Sequence, residues 1–426
     1  MVSKQYPRLG ETVFHEILEN GLHIYVDRRR DFQKSYAFFA TNYGGMDMRF
    51  FQDGRWKDTP AGVAHFLEHK MFDTEDGNAL QDLAANGASP NAFTSSAITG
   101  YYFESTEKFF DNLKILLSFV SIPYFTQESV DKEQGIIGQE IRMVEDDPEN
   151  QVFYALMECL YDHHPIRVPI AGTQESISHI TAGTLYSCHK AFYNPANMVL
   201  TVAGDVDPEQ VCAIAKEILP KDSLGQMERD YGGEEAPNAA ASEKELTMEV
   251  STPIFMLGFK CDPAQKGEEW MRRELAGELA CEALLGNSTP LYAKLYSQGL
   301  INKNFSYGFE LYPGCAMMVA GGESRDPKKV RDAVLAEGER LAREGIDPGL
   351  FQRLKKGVYG AKVRGLNSFE FTCISMAQSH FTGVDYFKFP EIFDSIDQAC
   401  VEDCIRSWVT AERCGLAVVR PGEGEA

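Results

Sequence analysis

Two histidines four residues apart, His65 and His69, with Glu68 directly before the second, form H-x-x-E-H in this chain. A zinc ion needs neutral imidazoles held at one point, and an i, i+4 pair on a helix delivers two from successive turns. Glu68 falls beside them, placed to take a proton from a metal-bound water; the pattern inverts H-E-x-x-H. Three fixed letters recur by chance in roughly one chain of this length in a hundred. The reading therefore needs a third ligand.

A helix expected over residues 129–144, and stopped at Asp146-Asp147-Pro148, supplies candidates. Its Glu133 and Glu140 lie seven apart and so share one face. Either can be the carboxylate that completes a three-ligand catalytic zinc site. For the first helix, Asp58-Thr59-Pro60 predicts the start, with Thr59 as cap and Pro60 as first helical residue. His65, Glu68, His69 and Phe72 then occupy one face, and Val63, Phe66, Leu67 and Met71 the apolar one.

The elements that must position these groups are readable from patterning. Residues 22–27, 35–41 and 198–203 read as strands, and 91–95 and 97–104 as extended segments. Residues 80–85 read as helix, 87–90 as loop, and Phe109, Phe110, Leu113, Leu116, Leu117 and Val120 as the core stripe of another helix.

The chain has 426 residues, 44% of them hydrophobic and 24% charged, enough for two domains with real cores. A net charge of −22 argues against nucleic-acid binding, which needs Lys/Arg clusters. The N-terminus shows no secretory signal and no stretch reaches 18 apolar residues, so neither export nor a membrane span is expected. Ten cysteines without a C-x-x-C pair read as reduced core thiols of a cytoplasmic protein.

The Gly-, Ala- and acid-rich stretch 222–243 reads as a linker between an N-terminal domain, 1–221, and a C-terminal domain, 244–426, that repeats the first. Residues 185–203 align without a gap on 401–419, pairing Cys188 with Cys404 and Leu200 with Leu416. Gly135 and Gly138 match Gly357 and Gly360, and Leu83 and Gly87 match Leu295 and Gly299. At the same offsets His65, Glu68 and His69 fall opposite Gly277, Ala280 and Cys281, and Glu133 and Glu140 opposite Lys355 and Lys362. All five polar groups vanish while the apolar framework stays, as expected of residues that serve a metal rather than the fold.

H-x-x-E-H, the E-x6-E helix, the intervening Asn91-Ala92-Phe93-Thr94-Ser95 and the degenerate second half together resemble the pitrilysin/insulinase/mitochondrial processing peptidase family of zinc metallopeptidases. The likeness spans the whole chain and is nearest to short bacterial members of ymfH type. It implies an α+β fold of two homologous domains, each an antiparallel sheet with helices packed on it, facing each other like a half-clamshell around a chamber. It further implies one zinc per chain on His65, His69 and Glu140, Glu68 as general base, Glu133 steadying the site, and Asn91, Ala92 and Phe93 as the edge that binds peptide.

One stretch departs from the family pattern. Where many members carry an Arg and a Tyr that hold the substrate carbonyl, residues 291–302 here read LYAKLYSQGLIN, with Tyr296 at the Arg position. The resemblance then implies a heterodimer with a metal-free paralogue that supplies the Arg/Tyr pair. The alternatives are a homodimer, or use of Tyr307. A non-catalytic scaffold with a peptidase fold is the other functional class; its relatives usually have eroded metal motifs, whereas this one is intact.

Overall fold

Strand Ser35–Thr41 is buried along its whole length, as is its neighbour Met198–Gly204. A strand with both faces apolar must be covered on both sides, and that requirement explains how the chain is partitioned. The computed structural model describes residues 1–422. Its contacts divide into two units: 1–141 with 168–231 and 363–387, and 142–167 with 232–362 and 388 onward.

In the first unit seven strands run in the order Val2–Tyr6, Glu11–Ile17, His23–Arg28, Met198–Gly204, Ser35–Thr41, Thr99–Ser105, Ser89–Thr94. Neighbours are antiparallel except Met198–Gly204 and His23–Arg28, which run parallel. Helices Phe109–Ser121, Pro208–Ile218 and Val63–Lys70 pack on one face. On the other, helix Phe369–Thr382 lies over Met198–Gly204 and Ser35–Thr41, and the Thr201 hydroxyl donates to the Cys373 carbonyl at 2.9 Å.

The second unit has a five-stranded sheet, Glu243–Met248, Cys414–Pro421, Ile254–Cys261, Cys315–Glu323, Ser306–Tyr312, again with one parallel pair at its start. Helix Pro148–Leu160 covers Cys414–Pro421 and Ile254–Cys261. Two glycines allow it to come close: a Cβ on Gly258 or Gly415 would stand 2.9 Å from a side-chain atom of Leu160 or Cys159.

The contact units are thus discontinuous, whereas the sequence divides the chain into 1–221 and 244–426. Each sheet takes one covering helix from the other half of the sequence, an exchange that hydrophobic patterning cannot reveal. The repeat itself is present. Helix Ala182–Phe192, the 3-10 turn Pro195–Asn197 and strand Met198–Gly204 recur as Gln398–Trp408, Ala411–Arg413 and Cys414–Pro421, each beginning 216 positions later. All ten cysteines are free thiols, eight of them buried. Among the described residues no helix is long and apolar enough to cross a membrane.

The expected linker is tied down in both units. In the first, Asp47 pairs with Arg229 at 2.8 Å and accepts from the Tyr231 hydroxyl at 2.9 Å. In the second, Glu235 accepts the backbone N–H groups of Asp162, His163 and His164 and the ammonium of Lys260 at 2.6 Å. Burial alone would raise the Glu235 pKa, yet Lys260 and the three N–H groups hold it at about 2. A carboxylate depressed on folding stabilises above its ordinary value of 4.5, and that stabilisation is lost as pH falls toward 2. Glu235→Gln should therefore lower the urea midpoint most at neutral pH, with the gap to wild type closing as unfolding is repeated at increasingly acid pH. A gap that stays constant with pH would contradict the assignment.

Candidate metal centre

The H-x-x-E-H helix is Val63–Lys70, three residues shorter at its start than Thr59 and Pro60 predict. Thr59 is otherwise engaged: its N–H and hydroxyl both donate to the Met48 carbonyl, at 2.8 and 3.0 Å. Gly62 makes the turn instead, at φ 96°, with no side-chain cap. A Cβ there would sit 2.6 Å from the Ala171 carbonyl, so the approach of the 171–172 loop also demands glycine. Val63, Phe66, Leu67 and Met71 enter the core as expected. Phe72 does not share the polar face: the helix has ended, and its ring packs against Tyr101 and Phe119.

Helix Gln127–Asp146 brings its carboxylates alongside. Glu140 Oε1 lies 3.3 Å from His65 Nε2, and Glu140 Oε2 lies 3.5 Å from His69 Nε2. One donor atom from each of His65, His69 and Glu140 falls within 4.8 Å of the other two, the arrangement that can hold a metal ion. Glu133 instead meets the far side of one ring: its Oε1 lies 3.2 Å from His69 Nδ1. Of the two carboxylates that spacing leaves open, Glu140 is the one that faces both imidazoles.

Electrostatics follow the geometry. The bond from His69 holds the Glu133 pKa below the ordinary range, helped by Lys70, and the bond from His65 lowers Glu140. Burial opposes charge on His69, but the bond to Glu133 and the nearby Glu68 and Glu140 outweigh it and raise its pKa. With its Nδ1 proton committed to Glu133, His69 in its neutral form would present Nε2 to a metal. His65 Nδ1 is buried without a hydrogen-bond partner, so this imidazole is oriented by packing and by its Nε2 side alone. Two imidazoles and one carboxylate are the donor set of a three-ligand zinc site with a position left open. The residues fit that ion.

Two further residues escape the sequence pattern. The Thr94 hydroxyl donates to Glu68 Oε2 at 2.8 Å, and Thr99 beside it donates to the Tyr43 carbonyl at 2.9 Å. Lys70, only 2% exposed, directs its ammonium to Asp73 and to Glu133 Oε2 at 3.5 Å. Neither has a motif spacing; each depends on a strand or helix meeting the H-x-x-E-H helix in space.

Asn91, Ala92 and Phe93 lie on strand Ser89–Thr94, the last in its sheet, which among the described residues pairs only with Thr99–Ser105. Gly87–Ala88 precede it as a loop, but Ser89 and Pro90 already belong to the strand. Side chains alternate along it. Thr94 and Ala92 face the metal helix and the core, while Phe93 stacks on Phe38 at 5.7 Å on the opposite face, where Asn91 also projects. Beside Glu68 this edge offers backbone.

In the second unit the matching positions are filled by packing. A Cβ on Gly277 would lie 2.4 Å from the Phe309 ring, and Ala280 and Cys281 are buried. Lys355 donates to the Asp394 and Ile396 carbonyls, and Lys362 to Glu278 at 2.8 Å. Tyr296 is 53% exposed, and the Tyr307 hydroxyl donates to Glu282 at 3.1 Å.

Comparison with known proteins bears on this geometry. Residues 50–174 match the family described as Insulinase (Peptidase family M16), and residues 179–358 match the Peptidase M16 inactive domain. YmfH of Bacillus subtilis, an uncharacterized zinc protease, is 37% identical over 427 residues, 98% of either chain. An uncharacterized zinc protease of Mycobacterium leprae is 26% identical, covering 85% of this chain and 83% of its own. Among solved structures, an M16-like peptidase from Alicyclobacillus acidocaldarius superposes with a TM-score of 0.93 at 30% identity, over 99% of this chain and 100% of that one. A Helicobacter pylori protease shares the fold, with a TM-score of 0.83 at 16% identity over 96% and 99%.

Removing the buried ammonium that supports Glu133 behind His69 should weaken metal binding. Lys70→Met is expected to reduce zinc affinity by about 10–100-fold, as loss of an outer partner does, measured by competition with a chromophoric chelator. Lys70→Arg should recover part of it. Unchanged affinity in Lys70→Met would show that Glu133 needs no such support.

Proposed function

The chain belongs to the insulinase family of peptidases, M16, and from that premise we propose that it is a zinc-dependent metalloendopeptidase acting at His65, Glu68, His69 and Glu140. The observation that carries the reading is the meeting of Glu140 with two imidazole Nε2 atoms, at 3.3 and 3.5 Å, beside a carboxylate anchored separately by Thr94. Zinc on these three side chains would act as a Lewis acid and bring the pKa of a coordinated water to about 7.

The chain's own groups do the rest. The Thr94 hydroxyl fixes one oxygen of Glu68 and leaves the other to take a proton from the attacking water. Glu68 then hands that proton to the leaving amine. Glu133 holds the His69 ring by its Nδ1 proton throughout. A peptide adding itself as an extra strand to the free edge of Ser89–Thr94 would be held by backbone bonds, which recognise extended shape more than sequence. Peptides and unfolded segments fit that requirement.

The proposal includes a partner. Tyr296 stands where the family pattern that the sequence resembles has Arg, a departure that supports a heterodimer with a metal-free paralogue over a homodimer. Ten free thiols suit a reducing, cytoplasmic setting. A scaffold role would not require the intact convergence of His65, His69 and Glu140.

Glu68→Gln should keep zinc and cut the turnover of a quenched peptide by about 10²–10⁴-fold, the share that general-base catalysis supplies. His65→Ala should lose both zinc and turnover. Chelation should abolish activity and zinc should restore it. Full turnover in Glu68→Gln, or a full complement of zinc in His65→Ala, would overturn the assignment.

A further inference from the structure

Away from the H-x-x-E-H helix, the first unit encloses a second group of ring nitrogens. His15 and Tyr25 face each other across strands Glu11–Ile17 and His23–Arg28, and His23 lies on the same sheet face two residues before Tyr25. Helix Phe369–Thr382 brings His380 over that face. Between them lies a cavity of about 440 Å³.

The donor atoms form a chain. His15 Nε2 and His23 Nδ1 are 3.1 Å apart, the Tyr25 hydroxyl is 3.5 Å from His23 Nδ1, and it is 3.3 Å from His380 Nδ1. Tetrahedral zinc with bonds near 2.0–2.1 Å separates its donors by about 3.3 Å. The three imidazoles do not converge by themselves as His65, His69 and Glu140 do; the Tyr25 oxygen stands between His23 and His380 and links them.

We propose that His15, His23 and Tyr25, with His380 at the facing helix, form a second site for a divalent transition metal, independent of the peptidase centre. Imidazole and phenol oxygen select zinc, copper or nickel over magnesium or calcium. Asp385 at the cavity wall is occupied by Lys4 and the Tyr6 hydroxyl and is not part of the donor set.

The test uses full-length protein in which the first centre is removed by His65→Ala with Glu140→Gln. At micromolar protein this variant should still bind one Cu²⁺ or Zn²⁺ per chain, and Cu²⁺ should show nitrogen hyperfine coupling in its electron paramagnetic resonance spectrum. Adding His15→Gln and His23→Gln should remove that ion, with circular dichroism verifying the fold. Because His380 projects from another element, His380→Gln provides a separate check and should weaken binding without loss of the sheet. No stoichiometric ion in the first variant would overturn the proposal, as would binding that persists in the folded His15→Gln/His23→Gln background. Neither outcome bears on the peptidase reading, which rests on His65 and Glu140.

Discussion

The structure of the site depends on one constraint: a carboxylate from helix Gln127–Asp146 must stand against two imidazoles from helix Val63–Lys70. Three carboxylates, Glu68, Glu133 and Glu140, gather there around two rings. Such a concentration of acid is unfavourable in a partly dry environment without a cation. The buried Lys70 beside Glu133 supplies one positive charge within the protein. A cation held by His65, His69 and Glu140 would balance the rest. Helix packing does the placing: Val63, Phe66 and Leu67 on one side and Ile137 and Ile141 on the other join the same core, which sets the distance between the two polar faces.

The second unit shows what the same framework looks like without that constraint. At the position of His65 a glycine admits the Phe309 ring, and the position of Glu140 carries Lys362, paired with Glu278. Helix, turn and strand persist at a constant spacing because their buried residues persist, while the polar set is replaced as a block. Each sheet is also completed by a helix drawn from the opposite half of the sequence, so neither half contains every element of its unit.

How much of this is legible in the sequence follows from the range of the interactions. His65 and His69 are four apart and Glu133 and Glu140 seven apart, so helical geometry alone puts each pair on a common face. The choice of Glu140 over Glu133 is not local; family resemblance indicates it, and in the fold Glu140 lies 3.3 and 3.5 Å from the two imidazole Nε2 atoms. Thr94 and Lys70 are invisible to spacing because their bonds to Glu68 and Glu133 arise only when separate elements meet. The helix start misleads for the same reason: Thr59 has the chemistry of a cap but spends its hydroxyl on Met48. Strand alternation, by contrast, is local, and it places Phe93 on the face opposite Thr94. Strand Ser35–Thr41 is read to its exact ends because its pattern is unbroken, whereas the exchange of covering helices leaves no trace in any window of sequence.

The central claim is that Glu140, and not Glu133, binds the cation together with His65 and His69. Isothermal titration of zinc into Glu140→Gln and Glu133→Gln, side by side, addresses it directly. The account predicts that Glu140→Gln loses high-affinity binding and that Glu133→Gln retains one ion per chain with weakened affinity. The reverse order, or undiminished binding in Glu140→Gln, would contradict it.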